Sequence, residues 1–183
     1  MRVEADAIQL TAIDQRFILH WGEMGNRWGI NRTMAQIHAL LFLSPEPLHA
    51  EQITGTLQVA RSNVSTCLRE LQSWGIVRIV HVLGDRRDHF ESLHDVWEMF
   101  RIILDERKRR EIDPTREFLH SCISDADSSD DLTSKRIGDV LEFFEAMSTW
   151  YESITTLPDS AVKSFIKLGP RVQYLIKGKP SKR

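Results

Sequence analysis

The feature that most constrains this chain is a change of apolar period at Gly75. Before it, Val59, Val64, Leu68, Leu71 and Trp74 form one apolar face of a helix. After it, "IVRIVHVL" at 76–83 is β-branched and partly alternating, as in a strand. "GDRRD" at 84–88 is a turn rich in Gly and Asp, and "HFESL" is the returning strand. Residues 76–93 therefore read as a β-hairpin with two arginines at its tip, set directly behind a helix that Gly75 ends.

The chain around this junction reads as helical. Leu10, Ile13, Phe17, Trp21, Met24 and Trp28 recur at steps of three and four, an amphipathic helix that "NRWGIN" breaks, with Gly29 as its stop. Asn31 caps the next helix, Arg32–Leu43, which is apolar on most sides from Ile37 onward and is expected to be buried. "SPEPL" at 44–48 is a turn, because each proline disfavours helix in the residue before it. A short helix follows from Ala50 to Leu57. Beyond the hairpin, His94–Cys122 is helical, with Pro114 expected to kink or split it. "SDADSSDD" at 124–131 is an acidic linker. Leu132–Leu157 is amphipathic through Ile137, Val140, Leu141, Phe144 and Met147. A last helix starts at Pro158–Asp159 and runs to about Lys177, ahead of a frayed tail.

Bulk properties narrow the function. A length of 183 residues suits one domain, or one with a helical extension. The net charge is −2, so the chain is no general polyanion binder, and any positive surface must be local. Cys67 and Cys122 lie far apart and write neither a disulfide framework nor a CxxC site. The seven histidines are scattered, without the helical spacing of a metal site. "GEMGNRWG" follows no strand and is not a phosphate loop. No nucleophile–base pair or carboxylate cluster stands out, so no enzyme, metal or cofactor is expected. The acids in "MRVEADAIQL" and the absence of a long apolar run argue against a signal peptide or membrane span, which reads as cytoplasmic.

Helix, short helix, polar-faced helix and hairpin, in that order, make a mainly α fold with a small β-hairpin wing: a winged helix-turn-helix. A DNA major groove about 12 Å wide admits one α-helix, whose first residues reach base edges. The helix after Ala60 has the apolar back this requires, in Val64, Leu68 and Leu71. Its front carries Arg61, Ser62, Asn63, Ser65, Thr66 and Arg69, with no acid in the first two turns. Asn63 and Ser62 are candidates for base edges. Arg61, Thr66, Arg86 and Arg87 are candidates for phosphates, which set affinity and register but carry little sequence information. The alternative is a winged-helix module for protein–protein contacts without DNA, but such a module needs apolar anchors where these polar residues stand. Cys67, beside Val64, reads as a small buried hydrophobe.

Residues 40–92 resemble the MarR-type winged-helix regulators, and within them the GbsR branch. The resemblance rests on "LSPEPL", "SNVSTCLRELQSWGIV" and "GDRRDHFES", followed by "VWEMF". It extends more weakly upstream through "HWGEMGNRWGINRTMAQIHALL" and fades after about residue 115. It implies a symmetric homodimer built by helices from both chain ends. Residues 1–30 and 94–183 would then form the dimerisation and effector region, around a DNA-binding domain at 31–93. It also implies a pseudo-palindromic operator on double-stranded DNA and modulation by a small-molecule effector. GbsR-like proteins are associated with choline and betaine, which makes Trp21, Trp28, Trp97, Trp150 and Tyr151 candidates for an aromatic cage. The sequence departs from this type at Ala60, where Ser or Thr often stands. Ser62 is then expected to stabilise the start of the helix instead.

Overall fold

In the computed structural model, residues 7–125, 131–158, 160–162 and 164 are described. They fall into two compact units, divided between Ile103 and Leu104.

The first unit opens with α1 (Ala12–Arg27), started by a reciprocal capping box between Thr11 and Asp14. Its buried face is Phe17, Ile18, Trp21, Gly22 and Gly25, whereas Ile13, expected on that face, is 76% exposed. Counting apolar residues overlooks glycine, which is buried here because a neighbouring helix approaches its backbone. That neighbour is α2 (Arg32–Leu43), capped by Asn31 Oδ1, which accepts from Met34 N at 3.1 Å. A Cβ on Gly25 would lie 2.6 Å from Ala35 Cβ, so glycine is what permits the approach.

The chain then forms a two-residue strand, β1 (Leu48–His49), and α3 (Ala50–Leu57). His49 and Gln52 form a capping box at the start of α3, and Gln58 ends it in the left-handed region at φ 54°. α4 (Arg61–Trp74) follows, ended by Gly75 at φ 82°. β2 (Val77–Val80) and β3 (His89–Ser92) make the hairpin, with Ile79 opposite Phe90 and Val80 opposite His89. β1 adds to the other edge of β3 through Leu48–Phe90 and His49–His89, so β3 is the middle strand of an antiparallel sheet. The hairpin is thus shorter than 76–93 and belongs to a three-stranded sheet.

The core gathers α2, α3 and the back of α4. Ile37, Leu40, Ile53, Val64, Leu68 and Leu71 are essentially inaccessible. The first turns of α5 (Val96–Arg107) close it through Met99 and Ile102. The order of elements makes this unit a winged helix.

The second unit begins in the last turn of α5. A π-helical turn, Lys108–Ile112, leads into α6 (Asp113–Ser124). Pro114 therefore stands in the first turn of α6 and does not end the helical path. Its missing N–H leaves the Arg110 carbonyl without the usual donor, and the chain slips to wider spacing one turn earlier. α7 (Asp131–Thr155) packs on α6. Lys108 pairs with Glu152, Arg116 Nη1 donates to Ser148 Oγ at 3.1 Å, and His120 meets Glu145 at 3.2 Å. This descending register makes the two helices antiparallel. Within "DERKRR" at 105–110, Glu106 pairs with Arg110 four residues on. Asp105 accepts from the Tyr151 hydroxyl, and Arg109 also pairs with Glu106.

α7 carries two apolar faces where one was expected. Ile137, Leu141 and Phe144 are covered, while Val140, Phe143, Met147 and Trp150 are exposed. The helix expected from Pro158 to about Lys177 lies largely outside the described residues, as do most of the acidic linker and the basic residues from Lys163 onward.

Candidate nucleic-acid interface

α4 presents the surface that its sequence pattern predicts. Val64, Cys67, Leu68 and Leu71 anchor it from behind. Arg61, Ser62, Asn63, Thr66 and Arg69 are exposed and Ser65 is half-buried. Ala60 is the N-cap, and no side chain caps the helix, so the expected role of Ser62 in starting it is not realised. The start is held through the backbone, where Val64 N donates to the Ala60 carbonyl at 3.1 Å. The first α4 amide groups are therefore left for an acceptor from outside, and a helix N-terminus favours an anion.

Two arginines on this face are pre-positioned. Arg61 donates through Nε to Glu51 Oε1 at 3.1 Å and through Nη1 to Ser65 Oγ at 3.0 Å. Partial burial opposes charge on Glu51, but the backbone hydrogen bond at the start of α3 and Arg61 outweigh it and lower its pKa. Arg69 reaches back to the Ser65 carbonyl and to Thr66 Oγ1, both at 3.4 Å. The Cys67 thiol points to Asn63 Oδ1 at 3.5 Å, and burial raises its pKa. Glu51 had no sequence signal for this role; it stands ten residues from its arginine and meets it only because α3 and α4 pack together.

The wing arginines differ from each other. Arg87 forms a fork on the Asp85 carboxylate, with both Nε contacts at 3.0 Å, and holds the Asp85 pKa well below the usual carboxylate range. Arg86 is exposed and makes no ion pair among the described residues. Leu83, read as strand from its sequence, sits in the turn and is fully exposed. Gly84 turns the chain beside it at φ 87°. At the wing base, the cross-strand partners Arg78 and Glu91 form an ion pair, and His89 Nδ1 lies 3.0 Å from the Arg87 carbonyl.

Helix front and wing share one concavity. A groove of about 380 Å³ is lined by Arg61, Ser65 and Arg69 from α4 and by Arg87 and Asp88 from the wing. Ser62, Asn63, Thr66 and Arg86 are not among its lining residues. The groove is thus a positively biased seam between the two parts of the winged helix expected to meet a nucleic acid.

The candidate cage residues fall in both units. Trp21 and Trp28 line an almost wholly apolar cavity of about 280 Å³ in the first unit, together with Trp74. Trp97 is half-buried and does not line it. Trp150 and Tyr151 belong to α7 in the second unit, where burial and the bond to Asp105 raise the Tyr151 pKa. Among the described residues no group of three or more His, Cys, Asp or Glu is placed to hold a metal ion. No described helix is long and apolar enough to cross a membrane.

The fold defines a class: a winged-helix protein with a helical extension. A solved structure described as the crystal structure of a transcriptional regulator shares it, with a TM-score of 0.62 at 18% identity, over 85% of this chain and 99% of the other. No protein-family model matches the sequence, and no curated protein does.

Proposed function

We propose that this chain is a sequence-specific DNA-binding transcription regulator of the MarR type, nearest the GbsR branch. It acts as a homodimer on a pseudo-palindromic operator and responds to a small effector. The reading rests above all on the α4 front, where polar and basic side chains stand exposed around a helix start that no side chain caps. Asn63 and Ser62 read base edges. Arg61, Thr66, Arg69, Arg86 and Arg87 hold phosphates. A protein-docking helix would need apolar anchors on this front, and between Arg61 and Thr66 the only apolar residue is the inward-facing Val64.

The second apolar face of α7 supports the homodimer, since Val140, Phe143, Met147 and Trp150 remain 40–60% exposed. Two α4 helices on one duplex then stand about 34 Å apart.

The test is selection from random duplex DNA with the full chain, followed by binding across a salt series. An enriched palindrome and a steep negative log–log salt slope are expected. Asn63→Ala is expected to relax base preference at one position per half-site. Failure to enrich any sequence, with no salt-dependent binding, would remove the DNA reading.

A further inference from the structure

We infer that His89 is a positioning residue for the groove beside α4: by taking up a second proton it weakens the hold of Asp85 on Arg87 and yields that arginine to DNA phosphate. This deepens the regulator reading, and rests on it, by placing its DNA contact under the control of a proton.

Two buried histidines stand where the sheet meets the groove. His49 of β1 and His89 of β3 are cross-strand partners, with side chains 4% and 7% exposed. Their rings meet edge to face, with centroids 5.4 Å apart. Each faces a carboxylate that holds one of the groove's arginines. His49 Nδ1 lies 3.1 Å from Glu51 Oε2, and Glu51 binds Arg61. His89 Nε2 lies 3.6 Å from Asp85 Oδ2, and Asp85 binds Arg87. One path, Arg61–Glu51–His49–His89–Asp85–Arg87, therefore joins the α4 wall of the groove to its wing wall.

Hydrogen-bond direction places the proton. A carbonyl oxygen only accepts, so His89 Nδ1, 3.0 Å from the Arg87 carbonyl, carries a hydrogen whenever this contact is made. In the neutral ring Nε2 then holds a lone pair, which faces the Asp85 carboxylate. Both ring nitrogens thus face acceptors, an arrangement that a second proton at Nε2 completes, against the cost of burial. His49 is the poorer seat. Its Nδ1 also accepts from Gln52 N at 3.4 Å as the cap of α3, and a proton there would break the cap. Two imidazolium rings this close repel, so the pair takes one proton, at His89. At the wing stem Arg78 and Glu91 neutralise each other.

The consequence for Arg87 has a definite sign. Asp85 accepts from Arg87 N and Nε at 3.0 Å and from Nη2. While His89 is neutral, a phosphate competes with a whole carboxylate charge for that guanidinium. When His89 is charged, the carboxylate answers to two cations and its pull on Arg87 falls. The groove also gains a positive charge. Both effects raise DNA affinity as pH falls from about 8 to about 5, where imidazole changes charge. By linkage, the chain takes up protons as it binds DNA.

The experiment measures the affinity of the full chain for its selected duplex from about pH 8 to about pH 5.5 at fixed salt. Binding at the acid end is expected to be at least about fivefold tighter. His89→Phe, which keeps the bulk of the ring, and Asp85→Asn, in the turn, are expected to lose this dependence, with Asp85→Asn binding more tightly than the parent at the alkaline end. Arg87→Ala is expected to lose most of it, whereas a charge acting without Arg87 would keep its whole effect there. Without DNA, relaxation of Arg87 Nε by NMR is expected to report a more mobile guanidinium at the acid end in the parent and equal mobility at both ends in His89→Phe. Should His89→Phe fail to fold, Asp85→Asn and Arg87→Ala carry the test. The inference is overturned by a flat or inverted parent profile, or by a profile that persists in His89→Phe or Asp85→Asn or undiminished in Arg87→Ala. A proton-dependent Arg87 in a chain that selects no DNA would keep this control and sink the regulator reading. Selected DNA bound with a flat profile would do the reverse.

Discussion

Gly25 offers the sharpest test of how the first unit is assembled. Replacing a helical glycine by alanine ordinarily stabilises by about 1 kcal/mol, because alanine loses less backbone freedom. At Gly25 the new methyl would lie 2.6 Å from Ala35 Cβ. Carbon atoms rest at about 3.5–4.0 Å, so the helices must separate by roughly 1 Å. Ala35 sits on the α2 backbone and cannot turn aside. Overpacking of this kind costs about 1–3 kcal/mol, and with so stiff a neighbour the upper end applies. The net expectation for Gly25→Ala is a loss of about 1–2 kcal/mol, read as a lower midpoint in urea unfolding at unchanged slope. Ala35→Gly in that background removes the obstacle and recovers most of the loss. The double-mutant cycle then shows a favourable coupling above about 1 kcal/mol. A Gly25→Ala protein as stable as the parent, or a cycle without coupling, would refute the close approach of α1 to α2.

Other expectations follow from the same coordinates. Gly138 in α7 has nothing within 4 Å of an added Cβ, so Gly138→Ala should raise stability by about 1 kcal/mol, measured by thermal or urea unfolding. Arg86→Ala should shallow the log–log salt dependence of DNA affinity by about 1, the signature of one lost phosphate contact; an unchanged slope would take Arg86 off the DNA. His38 has a folded-state pKa of about 4 against 6.5 as its ordinary value. As pH falls through this window the unfolded chain takes up the proton first. The contribution is therefore complete above about 6.5 and is lost toward 4, on the order of 3 kcal/mol in all. His38→Leu should flatten that stretch of the stability–pH curve, and an identical curve would contradict the burial.

What can be read from the sequence is what depends on local spacing. The change of period at Gly75 locates both α4 and the hairpin, because helix and strand bury side chains at different repeats. Asn31 and Gly75 mark helix ends through local backbone chemistry. Features that depend on partners distant in the chain are illegible. β1 is only two residues long and exists because β3 pairs with it. The buried side of α1 runs through Gly22 and Gly25, which carry no hydrophobic signal. Arg61 finds its carboxylate on α3, and Arg87 is engaged by Asp85 although its sequence reads only as a basic tip. The candidate cage groups tryptophans by residue type, which says nothing of the unit each belongs to. Trp74, counted in the sequence only as part of the α4 face, is the one that joins Trp21 and Trp28.

The central position of β3 has a mechanical consequence. The strand that returns from the wing is stitched on its far edge to the residues that start α3, and α3 is packed against α4. The hairpin's root and the helix it accompanies are thereby yoked, and the tip around Leu83 and Arg86 stands beyond that pairing. If the proposed DNA reading holds, a displacement of α4 carries the wing root with it, so that both change pitch on the duplex together.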